Sequence, residues 1–91
     1  MGQKNYFPMK NVLKDATIQA IKELGGTATK QQINSKVAEI LDLSEEILTL
    51  EDESGIGTMY EYRMHWIRTE LKGRILNSKH GVWVLVEDKE E

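Results

Sequence analysis

The chain contains no cysteine, a single proline, two histidines and no long apolar run. Without cysteine there is no disulfide, no thiolate nucleophile and no zinc-finger-type ligand set. Two histidines fifteen residues apart are too few for a dedicated histidine metal site, so neither metal nor cofactor is expected. The longest apolar runs fall far short of the roughly 20 residues that a transmembrane helix needs, which excludes a membrane partner of that kind. Met1-Gly2-Gln3-Lys4-Asn5-Tyr6 has neither the hydrophobic stretch of a signal peptide nor the Ser/Thr that a myristoylation motif wants at its sixth position, so a cytoplasmic protein is expected. What is present is 91 residues with 40% apolar content, room for one core. A single domain over 1–91 is expected, with the core over 6–87 and a charged tail at 88–91.

The net charge of −3 hides an uneven distribution. Residues 1–41 are net +3, and residues 42–53 hold Asp42, Glu45, Glu46, Glu51, Asp52 and Glu53 without one basic residue. Residues 54–86 return to +3, and the tail from Glu87 is −3. A basic face therefore requires the fold to join the first and third blocks and turn the acidic one aside.

Local signals divide the chain into elements. A first helix is expected after Phe7-Pro8 and ends at Gly25-Gly26, with Val12, Leu13, Ala16, Ala20, Ile21 and Leu24 forming its apolar stripe and Ile18 off it. Thr29-Lys30-Gln31-Gln32 reads as a capping box opening a second helix, with Ile33, Val37, Ile40 and Leu41 inward. Ser44 caps a short third segment whose first-turn acids, Glu45 and Glu46, suit the helix dipole, and Leu43 and Leu48 are placed as a hydrophobic staple. Asp52 to Gly57 reads as a mobile loop. The acidic block is thus explained by helix-start residues and a solvated loop.

Thr58-Met59-Tyr60-Glu61 is a second capping box, and the helix it opens runs to a glycine stop at Gly73. Tyr60, Met64, Ile67 and Leu71 share one arc, and Glu61, His65, Arg68 and Lys72 share the opposite, polar one. Arg74-Ile75-Leu76 and Val82-Trp83-Val84-Leu85-Val86 are β-prone runs flanking the loop-like Asn77-Ser78-Lys79-His80-Gly81. The second run, apolar on both parities, is expected to be largely buried. The fold class is α+β, mainly α with a small β-hairpin. Three to four helices followed by a C-terminal two-stranded wing is the order of a winged helix-turn-helix domain.

With these residues placed, the chain resembles the N-terminal winged-helix domain of Mrr-type restriction endonucleases over roughly residues 6–87. The resemblance is carried by Tyr6-Phe7-Pro8, Leu24-Gly25-Gly26, Leu41-Asp42-Leu43-Ser44-Glu45-Glu46, the stretch from Tyr62 to Leu71, and Gly81-Val82-Trp83-Val84. The junction Leu71-Lys72-Gly73-Arg74-Ile75 is about a residue shorter than the usual turn of that family. The resemblance implies a targeting domain that is itself non-catalytic, with double-stranded DNA as its partner and a nuclease domain joined to it in a longer protein.

The residues offer no chemistry of their own. Glu87-Asp88-Lys89 has the letters of a nuclease strand motif but sits in a charged tail, where chance explains it. Neither Gly25-Gly26 nor Gly55-Ile56-Gly57 has the spacing of a phosphate loop.

Binding remains. In helix-turn-helix docking the recognition helix enters the major groove while other elements touch the backbone. Tyr62, His65, Arg68, Thr69 and Lys72 then form the groove face. Arg68 is the first choice among them, since a guanidinium can bind guanine with two hydrogen bonds or else a phosphate. Ser78, Lys79 and His80 at the hairpin tip, and Thr29, Lys30 and Gln31 at a helix start, are expected at phosphates. Arg63, in line with Glu70, is expected to form a structural ion pair. Trp66 and Trp83 are expected to fill the core and not to stack on bases. Two other readings stay open: a protein-interaction or dimerisation module, homodimers included, which an exposed Tyr62 and Trp66 patch favours, and a stand-alone transcriptional regulator.

Overall fold

Helix α1 (Lys10–Glu23) follows the proline turn and opens at Met9 without a side-chain cap. The computed structural model describes residues 7–52, 55, 57–79 and 81–86. In chain order α1 is followed by β1 (Thr27–Thr29), α2 (Lys30–Ile40), α3 (Glu45–Thr49), α4 (Met59–Glu70), β2 (Ile75–Lys79) and β3 (Val82–Leu85).

The inward face of α1 is turned from the expected one. Val12 is 41% exposed and Ile18 only 8%. The cause is Thr17, which is fully buried because its hydroxyl donates to the Leu13 carbonyl at 2.8 Å and so needs no water. With Thr17 inside, the buried arc shifts toward Ile18 and away from Val12.

Helices α1 and α2 stop by the same device. After α1 the Gly26 amide donates to Ile21 at 2.8 Å and the Gly25 amide to Lys22 at 3.1 Å, a Schellman closure with both glycines at positive φ. After α2 the Leu43 amide donates to Ala38 and the Asp42 amide to Glu39, and Asp42 takes the left-handed conformation at φ 52°.

The expected two-stranded wing is a three-stranded antiparallel sheet in the order β1-β3-β2. The added strand, Thr27-Ala28-Thr29, pairs with Val84, Trp83 and Val82. Three residues are too few to show an alternating pattern, and Thr29 doubles as the cap of α2. Strand β3 was expected to be largely buried, yet all four of its residues are half-buried, since three short strands do not shield either face fully.

The core lies between α1, α2, α4 and the sheet, where Leu13, Ile21, Ile33, Val37, Met64, Ile67 and Ile75 are essentially free of solvent. Ser44 caps α3 through the Ile47 amide. The loop after α3 is closed at its base by the Met59 amide on Leu50 and the Asp52 amide on Gly57, and residues 53, 54 and 56 lie outside the described ones. Four helices, a small sheet and a C-terminal hairpin make an α+β arrangement compatible with a winged helix. No helix among the described residues is long and apolar enough to cross a membrane.

Candidate nucleic-acid interface

Helix α4 is oriented by its core arc of Tyr60, Met64, Ile67 and Leu71, all buried. Thr58 caps it by accepting from the Glu61 amide at 3.1 Å. Only this half of the expected second capping box forms, whereas at α2 both halves do.

Three of the four residues expected on the polar arc of α4 are exposed: Glu61, His65 and Lys72. The fourth, Arg68, is not. It is 5% exposed and packs on the flank of α4 that faces α2 and β3. Its Nη1 donates to Asn34 Oδ1 at 3.0 Å, and its guanidinium carbon lies 5.8 Å from the centre of the Trp83 ring. The hydroxyl of Tyr60 donates to the main-chain oxygen of the same Asn34 at 2.6 Å, so one residue of α2 receives two bonds from α4. Burial pushes the Arg68 guanidinium below its ordinary pKa and raises the Tyr60 hydroxyl well above its own, with the neighbouring Arg68 charge opposing the latter.

The other flank of α4 meets the start of α1. Here Glu70 was expected to pair with Arg63, but it is taken by Lys14 at 3.1 Å and Lys10 at 3.3 Å. Arg63 instead lies over the ring of Phe7, 5.2 Å from its centre. Hydrogen bonds from the two lysines hold the Glu70 carboxyl below its ordinary pKa.

Between these flanks α4 turns an aromatic stripe outward. Tyr62 is 54% and Trp66 46% exposed, and the two rings meet edge to face at 6.4 Å. His65 meets Trp66 in the same manner at 5.6 Å. Trp66 was expected in the core, but it falls roughly 130° from the centre of the buried arc, which the four residues named above already fill. Trp83 is packed against the core as expected.

The start of α2 lies beside α4. The Thr29 hydroxyl accepts from the Gln32 amide at 3.1 Å while the Gln32 side chain accepts from the Thr29 amide at 2.9 Å. The Lys30 amide donates to the Gly81 carbonyl at 3.0 Å, which ties the hairpin to the helix start. Of the first-turn amides, that of Gln31 alone has no partner among the described residues. A cleft of about 440 Å³ opens here, bounded by Thr29, Lys30, Gln31, His65, Arg68 and Trp83 among others. A smaller one of about 280 Å³ lies on the far side of Arg68, against Thr69 and Lys72.

The structure thus gathers seven of the expected contact residues around two adjoining clefts. Tyr62 borders neither and points to the outer surface. Ser78 is exposed on β2 at a register shift between Asn77 and Lys79. Lys79 belongs to β2, but its side chain, like the whole of His80, lies outside the described residues. Sequence reasoning missed Asn34 and Asn77. The amide of Asn77 donates to the Val82 carbonyl at 2.9 Å and closes the hairpin, a role that an asparagine at a turn suggests. Asn34 gives no such signal in the middle of a helix.

No group of three or more metal-ligating side chains occurs among the described residues. The profile of one protein family, the Mrr N-terminal domain, matches residues 12–89. No curated protein and no solved structure matches the chain.

Proposed function

The chain belongs to the Mrr N-terminal domain family, a family associated with restriction systems, and on that premise we propose that it is a non-catalytic module that docks on duplex DNA in the cytoplasm and positions a nuclease domain there. The outward face of α4, with Tyr62, His65, Thr69 and Lys72, enters the major groove. Lys30 and Gln31 at the start of α2, with Ser78, Lys79 and His80 of the hairpin, reach the phosphates.

The observation that carries this reading is the Lys30 to Gly81 hydrogen bond. It fastens the hairpin to the start of α2 beside the exposed side of α4, so backbone-contacting and groove-contacting residues form one surface although they lie far apart in the sequence. The test is fluorescence anisotropy of duplex DNA at low and near-physiological salt, comparing the native chain with Lys30→Ala plus Lys72→Ala. Binding should weaken in the double variant, and the slope of log affinity against log salt should fall by about 2, near 0.9 per lost phosphate contact. A folded native chain that binds no duplex at low salt defeats the reading.

One observation favours a second reading, a protein-interaction surface. The exposed Tyr62 and Trp66 pair is an apolar patch in the centre of the outer face, and aromatic residues of this kind anchor protein interfaces. Trp66→Ala separates the two. Loss of self-association in sedimentation with DNA affinity intact supports the interface, whereas loss of DNA affinity alone supports the groove.

A further inference from the structure

Arg68 is a buried cation without a counter-anion. None of the ion pairs among the described residues includes it, for the carboxylates there are taken up by Lys10, Lys14 and Lys36. Its partners are the neutral amide of Asn34 and the ring of Trp83. The nearby Tyr60 hydroxyl is kept in its neutral form by burial. The Nε–H of Arg68 has no hydrogen-bond partner at all among the described residues. Buried charges are ordinarily paired and fully hydrogen-bonded, because the lost hydration must be replaced.

The missing charge has one approach. The 440 Å³ cleft is bordered by Arg68 on one side and by the first turn of α2 on the other, where Lys30 carries a positive side chain and the Gln31 amide is the unpaired donor of an eleven-residue helix. The positive end of the α2 dipole, a lysine and an uncompensated guanidinium therefore converge on one space. His65 and Trp83 complete its walls.

We propose that this cleft seats a single phosphate group, which accepts from the Gln31 amide, pairs with Lys30 and supplies the counter-charge that Arg68 lacks. The inference rests on the DNA-binding reading for its source of phosphate, since a backbone phosphate beside the groove occupied by α4 would enter here. Arg68 then acts on the DNA backbone and not on a base edge. A free phosphate is the other source of the same chemistry.

The test is NMR of the ¹⁵N-labelled native chain, following the Arg68 Nε–H and Gln31 amide resonances during titration with duplex DNA and, separately, with inorganic phosphate. Both resonances should move with duplex. Arg68→Met, if its spectrum shows it folded, should lose the Gln31 response and lower the salt slope of DNA binding by about 0.9, one phosphate contact. Duplex that binds without moving either resonance overturns the phosphate seat and leaves the DNA reading intact. Resonances that move with inorganic phosphate while duplex fails to bind uphold the seat, assign it to a free phosphate, and defeat the DNA reading. If neither titrant moves them, the proposal is wrong.

Discussion

The position of Arg68 sets a conflict between stability and binding. Replacing a buried ionic group by an apolar side chain of similar length is often neutral or stabilising, because the charge no longer has to be dehydrated. Asn34, which loses its donor, is half-exposed and can be satisfied by water. Arg68→Met is therefore expected to leave stability unchanged or raise it by about 1 kcal/mol, read from urea denaturation. A loss above about 2 kcal/mol would show that the guanidinium is held for structural reasons. Tyr60→Phe removes a hydroxyl that donates at 2.6 Å and should cost about 1 kcal/mol, in the same assay. The sequence singles out Arg68 but cannot orient it. Helical periodicity puts residue 68 beside the polar arc, and whether that edge meets water depends on a neighbour, Asn34, contributed by another helix. Trp66 illustrates the converse: size and apolarity suggest the interior, whereas the phase of α4 puts it outside.

Elements with local causes were the most legible. The capping box at Thr29 and the glycine stop after α1 depend on residues within a few positions of one another, so the spacing in the chain already contains the geometry. Thr29→Ala removes an acceptor from the start of α2 and should lower stability by about 1 kcal/mol, or the melting temperature by about 4–8 °C. It should also perturb the site, since Thr29 pairs with Val82 in the sheet while capping the helix. Calorimetry on Thr29→Ala and Thr29→Ser distinguishes the cap from the strand, as serine restores the cap. Strand β1 was illegible for the opposite reason: its pairing is entirely with the far end of the chain. The shared Schellman closure predicts one more outcome. Asp42→Gly relieves a non-glycine residue at φ 52° and should not destabilise the chain in the same calorimetric scan, in contrast to Gly26→Ala, which should cost about 1–2 kcal/mol.

At the scale of the whole molecule, the fold class was readable from the order of helices and hairpin, while the way the flanks of α4 are covered was not. The clamp of Lys10 and Lys14 on Glu70 joins the start of α1 to the end of α4, and no spacing rule links those residues. Because its folded pKa is lowered from 4.5, Glu70 contributes stability that is present above that value and is lost as pH falls through the lower folded value. Glu70→Gln should accordingly flatten the acid limb of a stability profile and leave the shape of the curve above pH 6 unaltered, as measured by denaturation at a series of pH values. The strand order carries a different consequence. The middle strand of the sheet, β3, is the last to be synthesised, and both outer strands wait for it. During translation the helices can gather early, but the surface joining Lys30 to Gly81 cannot exist until nearly the whole domain has cleared the ribosome.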